Sequence, residues 1–244
     1  MPDNIPLLGL RDPVSSATHF AACLFGIFAT ALLWRLGRHR GRRAQIALAM
    51  FGVSMTLLYG ASGLYHALRL PPDRLRFFQL LDHSAIYVLI AGSYTPAFYF
   101  LLPERPSRRR FLGGIWLLAL AGIVTKWTIP DIPYWLTVTL YLGMGWVGLL
   151  TILEMLRAVG IRGMAWGLWG GLSYTLGGLA DLFHFPRGLP GLFGAHEVFH
   201  LFAMGGTFCH YIFMVKHVFP FRRRAVKPQP ARSPEPVKPT PQAE

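Results

Sequence analysis

Histidines at helical spacing are the residues of this sequence best suited to chemistry. His196 and His200 are four residues apart, which on an α-helix places their Cβ atoms about 5 to 6 Å apart on one face. His66 follows Ser62 by the same spacing in an earlier apolar segment. Three neutral imidazole nitrogens at about 2.0 to 2.1 Å suit Zn²⁺ and leave a fourth tetrahedral position for water. Convergence of the three histidines therefore predicts a catalytic zinc site, because structural zinc sites are usually closed.

Asp82 is the acidic residue expected beside that ion. It can bind the metal directly, or it can hydrogen-bond the water on the metal and take its proton. We favour the second role. A carboxylate in an apolar segment needs a cation nearby to stay charged, and the metal provides one. Ser62 can bond Asp82 or stabilise an oxyanion, or its hydroxyl can instead cap a carbonyl of its own helix.

Long apolar segments must position these residues. Of the 244 residues, 53% are hydrophobic and 14% charged, against about 25% charged in an average soluble domain. The 24 lysines and arginines cluster between apolar runs, which argues against a nucleic-acid-binding groove and favours a membrane. Because a helix needs about 20 mostly apolar residues to span a bilayer, the pattern predicts an all-α integral membrane protein, a seven-helix bundle. The predicted spans are 15–36, 44–68, 77–102, 111–127, 132–156, 164–185 and 194–219.

The chain divides into three parts. Residues 1–14 form an N-terminal segment, residues 15–219 the membrane domain, and residues 220–244 a tail in which proline and charge leave nothing to bury. We predict that this tail is disordered, with a basic start that either contacts anionic lipid or stays solvated. The N-terminus lacks a signal-peptide pattern, so the first span is expected to remain in the protein. Cys23 and Cys209 both fall inside spans, which indicates packing residues rather than a disulfide framework.

The distribution of basic residues orients the bundle. We call face A the surface with the N-terminus and the connections after spans two, four and six, and face B the opposite surface. Face A carries six of the 24 basic residues, and the others lie on face B. The positive-inside rule therefore predicts that face B and the C-terminus lie in the cytoplasm and that the N-terminus lies outside the cell membrane.

The candidate site residues share one depth. Counting residues from the span ends at about 1.5 Å each places them within roughly 10 Å of face A. The residues at this depth are His19, His66, Asp82, His184, His196 and His200. Asp181 is three residues before His184, and this pair can form a second shell at the entrance or make an interfacial hydrogen bond.

At these residues the sequence resembles the progestin and adipoQ receptor (PAQR) family, specifically its bacterial hemolysin III branch. The resemblance rests on SGLYH at 62–66, LDHSAIYVLIAGSYTP at 81–96, YLGMGW at 141–146 and HEVFH at 196–200, and it covers about residues 12–219. It implies a seven-helix bundle that holds zinc through His66, His196 and His200, with Asp82 and Ser62 beside the bound water. The family is similar to ceramidases, which implies a hydrolase of a lipid amide or ester, while some animal members act as hormone receptors.

Two features depart from the family pattern. The bacterial branch often has Glu and Asn ahead of a Thr-His pair in the first helix, whereas this sequence reads DPVSSATH, with Asp12 and Ser15 in the approximate places. Adiponectin receptors of the family keep the N-terminus and the zinc towards the cytoplasm. The basic residues of this chain instead place face A outside.

Other functions fit parts of the pattern. HEVFH satisfies H-E-x-x-H, in which Glu197 is the general base of a metalloprotease, but no acidic residue follows His200 within the last span. His196 and His210 are spaced to bracket a haem, yet no other span carries a matching pair. The zinc can also be structural, in a non-enzymatic membrane sensor or receptor. Membrane lipids are the expected partners in each case.

Overall fold

The computed structural model of the chain describes residues 9–104, 106–188 and 193–222. Residues 1–8 of the N-terminal segment and residues 223–244 of the predicted tail lie outside this part. The helices are α1 (Pro13–Gly37), α2 (Arg42–Ala67), α3 (Pro72–Leu101), α4 (Pro106–Thr128), α5 (Tyr134–Gly145), α6 (Ile152–Leu182) and α7 (Ala195–Phe213). A 3₁₀ segment, Trp146–Thr151, joins α5 to α6, and a π turn, Met214–Val218, continues α7. The predicted all-α membrane class is confirmed.

The number of separate spans differs from the predicted seven. Within the described residues, six helical runs are long and apolar enough to cross a membrane, and one of them, Tyr134–Leu182, contains 49 residues. At about 1.5 Å per residue this run is more than twice as long as the bilayer core is thick. The run folds back on itself, as a contact between its two halves shows. Trp146 Nε1 in the first half donates to Thr175 Oγ1 in the second half at 3.0 Å. The prediction placed a break between the spans 132–156 and 164–185. In the structure, helical residues instead lie directly on both sides of Gly160, which departs from helical geometry with φ 68° and ψ 173°.

Two helices form the interior of the bundle. In α2 and α3, 61% of the most apolar stretch is buried inside the protein, compared with 11% in α4. Large side chains on the outer helices face away from the core, and Leu24, Leu117 and Leu150 are between 67% and 73% exposed. This distribution suits a lipid environment outside and places the polar residues of α2 and α3 in the centre.

Small residues bring the helices close together. A Cβ atom added to Gly52 of α2 would lie 2.6 Å from Cα of Thr30 in α1. Between α6 and α7, a Cβ on Gly170 or on Gly206 would lie 3.0 Å from the carbonyl oxygen of the other glycine. Close backbone packing of this kind stabilises helix pairs in lipid, where apolar side chains gain little from leaving the solvent.

Backbone hydrogen bonds hold the segment before α1 against the C-terminal end of α2, which carries His66. The backbone N–H groups of Arg11 and Asp12 donate to the carbonyls of Ala67 and His66 at 3.3 and 2.9 Å. These carbonyls belong to the last turn of α2, where no backbone N–H group of the helix remains to donate to them. The segment before α1 is therefore held against the histidine of α2.

We expect Gly52→Leu to destabilise the bundle, because the new side chain meets the backbone of α1 and forces the two helices apart. The cost should be about 1 to 3 kcal/mol or more, measured as a lower melting temperature of the purified protein in detergent. Gly113→Leu is the matched control, since a Cβ there has no atom within 4 Å. Equal melting temperatures for the two variants would contradict the close α1–α2 packing.

Candidate metal centre

The three predicted ligands lie in one cluster at face A. One ligand nitrogen from each of His66, His196 and His200 lies within 4.8 Å of the other two. The ring centroids are separated by 4.8 Å for His66 and His200, 4.4 Å for His196 and His200, and 5.2 Å for His66 and His196. Two imidazoles that bind one tetrahedral ion at about 2.1 Å have centroids about 5 Å apart. The cluster can therefore hold a metal ion between the end of α2 and the start of α7.

The hydrogen bonds that the ring nitrogens make, or lack, indicate whether an ion fits between them. His66 Nε2 and His200 Nδ1 are buried and have no hydrogen-bond partner, and each such nitrogen costs about 1 to 3 kcal/mol if it stays unsatisfied. A shared cation satisfies both lone pairs at once. Neutral imidazoles are ligands that zinc and similar transition metals accept, so the residues present fit the predicted zinc ion.

Carboxylates contact two of the three rings. His66 Nδ1 donates to Asp12 Oδ2 at 2.9 Å, and His196 Nδ1 lies 3.3 Å from both oxygens of Asp181. The hydroxyl of Tyr134 donates to Asp181. The sequence allowed Asp181 either a place beside the site or an interfacial hydrogen bond, and the structure shows it in contact with the ring of His196, a predicted ligand. His184 is exposed at the end of α6, outside the cluster.

Asp82 and Ser62 lie beside the cluster. They are 7% and 1% exposed and line the same cavity as His196 and His200. The hydroxyl of Ser62 interacts with the carboxylate of Asp82. Asp82 is outside the group of close ligand atoms, an arrangement that agrees with a role next to the ion rather than on it.

His19 of α1 is a further member of the site. It is 4% exposed, neither of its ring nitrogens has a partner, and its ring centroid is 4.0 Å from that of His200. The His19 and His66 centroids are 6.2 Å apart, too far for both rings to share the ion in tetrahedral geometry. His19 therefore packs against the ring of His200, a predicted ligand, without joining the three-histidine group. Its depth near face A was visible in the sequence, but this contact was not.

Asp12, directly before α1, and Ser15, in its first turn, both reach the site region. Asp12 contacts His66, as described above, and Ser15 Oγ donates to Glu197 Oε1 at 2.9 Å. Glu197 also accepts from the backbone N–H of Gly194 at 2.8 Å, which caps the start of α7. These contacts give Glu197 a capping role and leave it outside the group of close ligand atoms, an arrangement that does not favour the metalloprotease alternative.

The haem alternative also lacks support. His210 Nε2 donates to the carbonyl of Gly167 in α6 at 3.2 Å. His210 thus makes the hydrogen bond within the core that a buried histidine requires.

An apolar cavity of about 230 Å³ opens from the histidine cluster into the bundle. Its polar end is lined by Asp82, His196 and His200, and its other end by Met155, Met164 and Met214 near face B. Pockets that are mostly apolar, with a few polar groups at one place, are typical binding sites for small molecules.

Known proteins similar to this chain were found by sequence comparison. The family described as haemolysin-III related matches residues 10–211. The chain is 32% identical over 213 residues to hemolysin-3 of Bacillus cereus, covering 86% of this chain and 94% of that protein. It is also 32% identical over 218 residues to the hemolysin-3 homolog of Bacillus subtilis strain 168, covering 86% and 98%.

A more distant animal relative covers the same region. The human monocyte to macrophage differentiation factor is 27% identical over 206 residues, with 83% of this chain and 82% of that protein covered. The matched region contains all seven helices up to Tyr211, and with them every residue of the histidine cluster. The chain therefore belongs to the haemolysin-III related family of PAQR membrane proteins.

Proposed function

We propose that this protein is a zinc-dependent membrane hydrolase that cleaves a lipid amide or ester. The observation that carries the proposal is the position of three converging histidines at the polar end of an apolar cavity, next to a buried carboxylate. When bound, a zinc ion supplies Lewis acidity that polarises a carbonyl and makes water easier to deprotonate.

Asp82 is the general base in this proposal. Its carboxylate takes a proton from the water that attacks the substrate carbonyl, and then delivers that proton to the leaving nitrogen or oxygen as the amide or ester bond breaks. Ser62 holds the carboxylate through their side-chain interaction. No group is left with an extra proton at the end, so the site returns to its starting state.

The cavity accounts for the class of substrate. An acyl chain that extends towards Met155 and Met164 is surrounded by apolar side chains, which gain free energy from excluding water. The carbonyl of such a lipid then lies near His196 and Asp82. Lipids of the surrounding bilayer are therefore the proposed partners and substrates.

The orientation in the membrane follows from charge. With most of the 24 basic residues on face B, the positive-inside rule places the C-terminus in the cytoplasm of the cell and the histidine cluster near the outer surface of the cell membrane.

A second candidate is a non-enzymatic sensor or receptor with structural zinc. The observation that favours it is the position of the ligands on the ends of two different helices, His66 on α2 and His200 on α7, so that an ion joins the two elements. In that case the ion contributes stability rather than turnover.

The first prediction concerns the ligands. The purified protein should contain about one zinc per chain, and His200→Ala should lose it because two imidazoles from separate helices hold the ion weakly. Metal content is measured by inductively coupled plasma mass spectrometry. His184→Ala, a change at an exposed histidine of the same face, should keep the metal. Full retention of zinc by His200→Ala would refute the ligand assignment.

The second prediction concerns the base. Asp82→Asn should keep the zinc but lower the rate of lipid hydrolysis by about 10² to 10⁴-fold, since the amide cannot take a proton. Products are detected by an untargeted lipid screen with the protein in nanodiscs. Glu197→Gln should remain active, because glutamine also caps a helix at this position. Unchanged turnover in Asp82→Asn would remove the base role, and loss of lipid hydrolysis in Glu197→Gln would point to Glu197 as the base instead.

The third prediction separates the enzyme from the structural alternative. Removal of zinc by a chelator should abolish lipid hydrolysis and also lower the melting temperature, because binding to the folded state stabilises it. A lower melting temperature together with no measurable turnover in the zinc-loaded protein would favour the sensor or receptor.

A further inference from the structure

We infer that Asp12 and Asp181 are positioning residues that hold the rings of His66 and His196 with Nε2 towards the metal and thereby set the metal affinity. This inference rests on the metal site of the proposed function. The two aspartates come from outside the ligand-bearing helices, Asp12 from the segment before α1 and Asp181 from the end of α6.

The carboxylate of Asp12 fixes which nitrogen of His66 carries the hydrogen. An ionised carboxylate only accepts hydrogen bonds, so the nitrogen 2.9 Å from Asp12 Oδ2 must be Nδ1–H. The lone pair of a neutral ring then lies on Nε2, which is the buried nitrogen without a partner. The contact thus both selects the tautomer and aims the remaining nitrogen into the cluster.

Asp12 is itself held firmly. Its backbone N–H donates to the His66 carbonyl at 2.9 Å, and Arg11 Nε donates to Asp12 Oδ2 at 2.9 Å. The guanidinium of Arg11 lies 4.1 Å from the centroid of the Tyr65 ring. A carboxylate fixed in this way can hold an imidazole in one orientation with little loss of entropy on metal binding.

Asp181 does the same for His196. Both of its oxygens lie 3.3 Å from His196 Nδ1, and the hydroxyl of Tyr134 donates to one of them. Asp181 is 7% exposed, whereas the side chain of His196 is 46% exposed and lines the cavity. The least enclosed ligand ring therefore depends on the aspartate for its orientation.

The charges of the two aspartates add a second effect. Three neutral imidazoles leave both charges of a divalent ion uncompensated, and a buried cation in a membrane protein needs nearby negative charge. Asp12 and Asp181 bring one negative charge each to the outer side of a ligand ring, although Arg11 offsets part of that at Asp12. His200 lacks such a carboxylate among the described residues, and its ring is packed against His19 instead.

The experiment measures zinc affinity of the full-length protein in detergent by competition with a chelating indicator. Asp12→Ala and Asp181→Ala should each weaken zinc binding by about 10- to 100-fold, the usual effect of removing such a partner, because alanine leaves Nδ1 of the ring without an acceptor. Asp73→Ala is the matched control, since this exposed aspartate at the start of α3 is on the same face and this variant should bind zinc like the wild type. Tyr134→Phe, which leaves Asp181 in place without its hydroxyl partner, should weaken binding by a smaller factor, about 2- to 10-fold.

Two further measurements separate positioning from a purely structural role. In the Co²⁺-substituted protein, the visible absorption bands should shift in both alanine variants, because these bands report ligand geometry. The melting temperature of the metal-free protein should stay near that of the wild type, while the increase on adding zinc becomes smaller. A decrease confined to the metal-free melting temperature, with unchanged Co²⁺ bands, would overturn the inference.

The outcomes also distinguish this inference from the proposed function. If the wild type binds zinc and both alanine variants bind it equally well, the positioning role is wrong and the metal site stands. If the wild type binds no zinc, the metal site fails and the inference fails with it. Should an alanine variant not yield folded protein, Tyr134→Phe decides for Asp181, and affinity equal to the wild type would refute it.

Discussion

The candidate site depends on one constraint: α2 must end, and α7 must begin, at the same surface of the bundle. His66 lies in the last turn of α2, and His196 and His200 lie in the first turns of α7, so a small displacement of either helix would separate the rings. Backbone hydrogen bonds from Arg11 and Asp12 hold the segment before α1 against the end of α2, and the Gly170–Gly206 contact brings α7 against α6. Helix packing in the membrane-spanning part thus sets the distances between the histidine rings at face A.

The bundle combines two environments that rarely occur together. A mostly apolar cavity ends at a group of histidines and carboxylates, each of which would be costly in lipid without a partner. Nδ1 of two rings donates to the carboxylates of Asp12 and Asp181, and one ligand nitrogen from each of the three histidines lies close to the other two. The polar groups are therefore tolerated because they satisfy one another around a common centre.

Membership of the haemolysin-III related family extends this architecture beyond one chain. The match ends at Tyr211, so it includes the helices and the histidine cluster and excludes the basic, proline-rich tail. The approximate family positions in the first helix are occupied here by Asp12 and Ser15, and both make contacts that link the chain start to the ligand helices. A change of residue type at these positions therefore still leaves oxygen atoms next to His66 and Glu197.

The sequence by itself determined the membrane class, the position of the apolar segments and the common depth of the histidines, because hydropathy and helical spacing are local properties. It also indicated the ligand pair of α7, since an i, i+4 spacing places two rings on one face wherever the helix lies. The number of separate spans differs from the prediction because the chain reverses at a single residue, Gly160. No loop with a recognisable composition marks this reversal in the sequence.

Only the tertiary structure decided which rings face one another. The packing of His19 on His200 and the contacts of Asp12 and Asp181 with the ligand rings join segments that are far apart in the chain. Such contacts depend on the lateral order and rotation of the helices, which are set by close packing between their surfaces and not by the composition of any one segment.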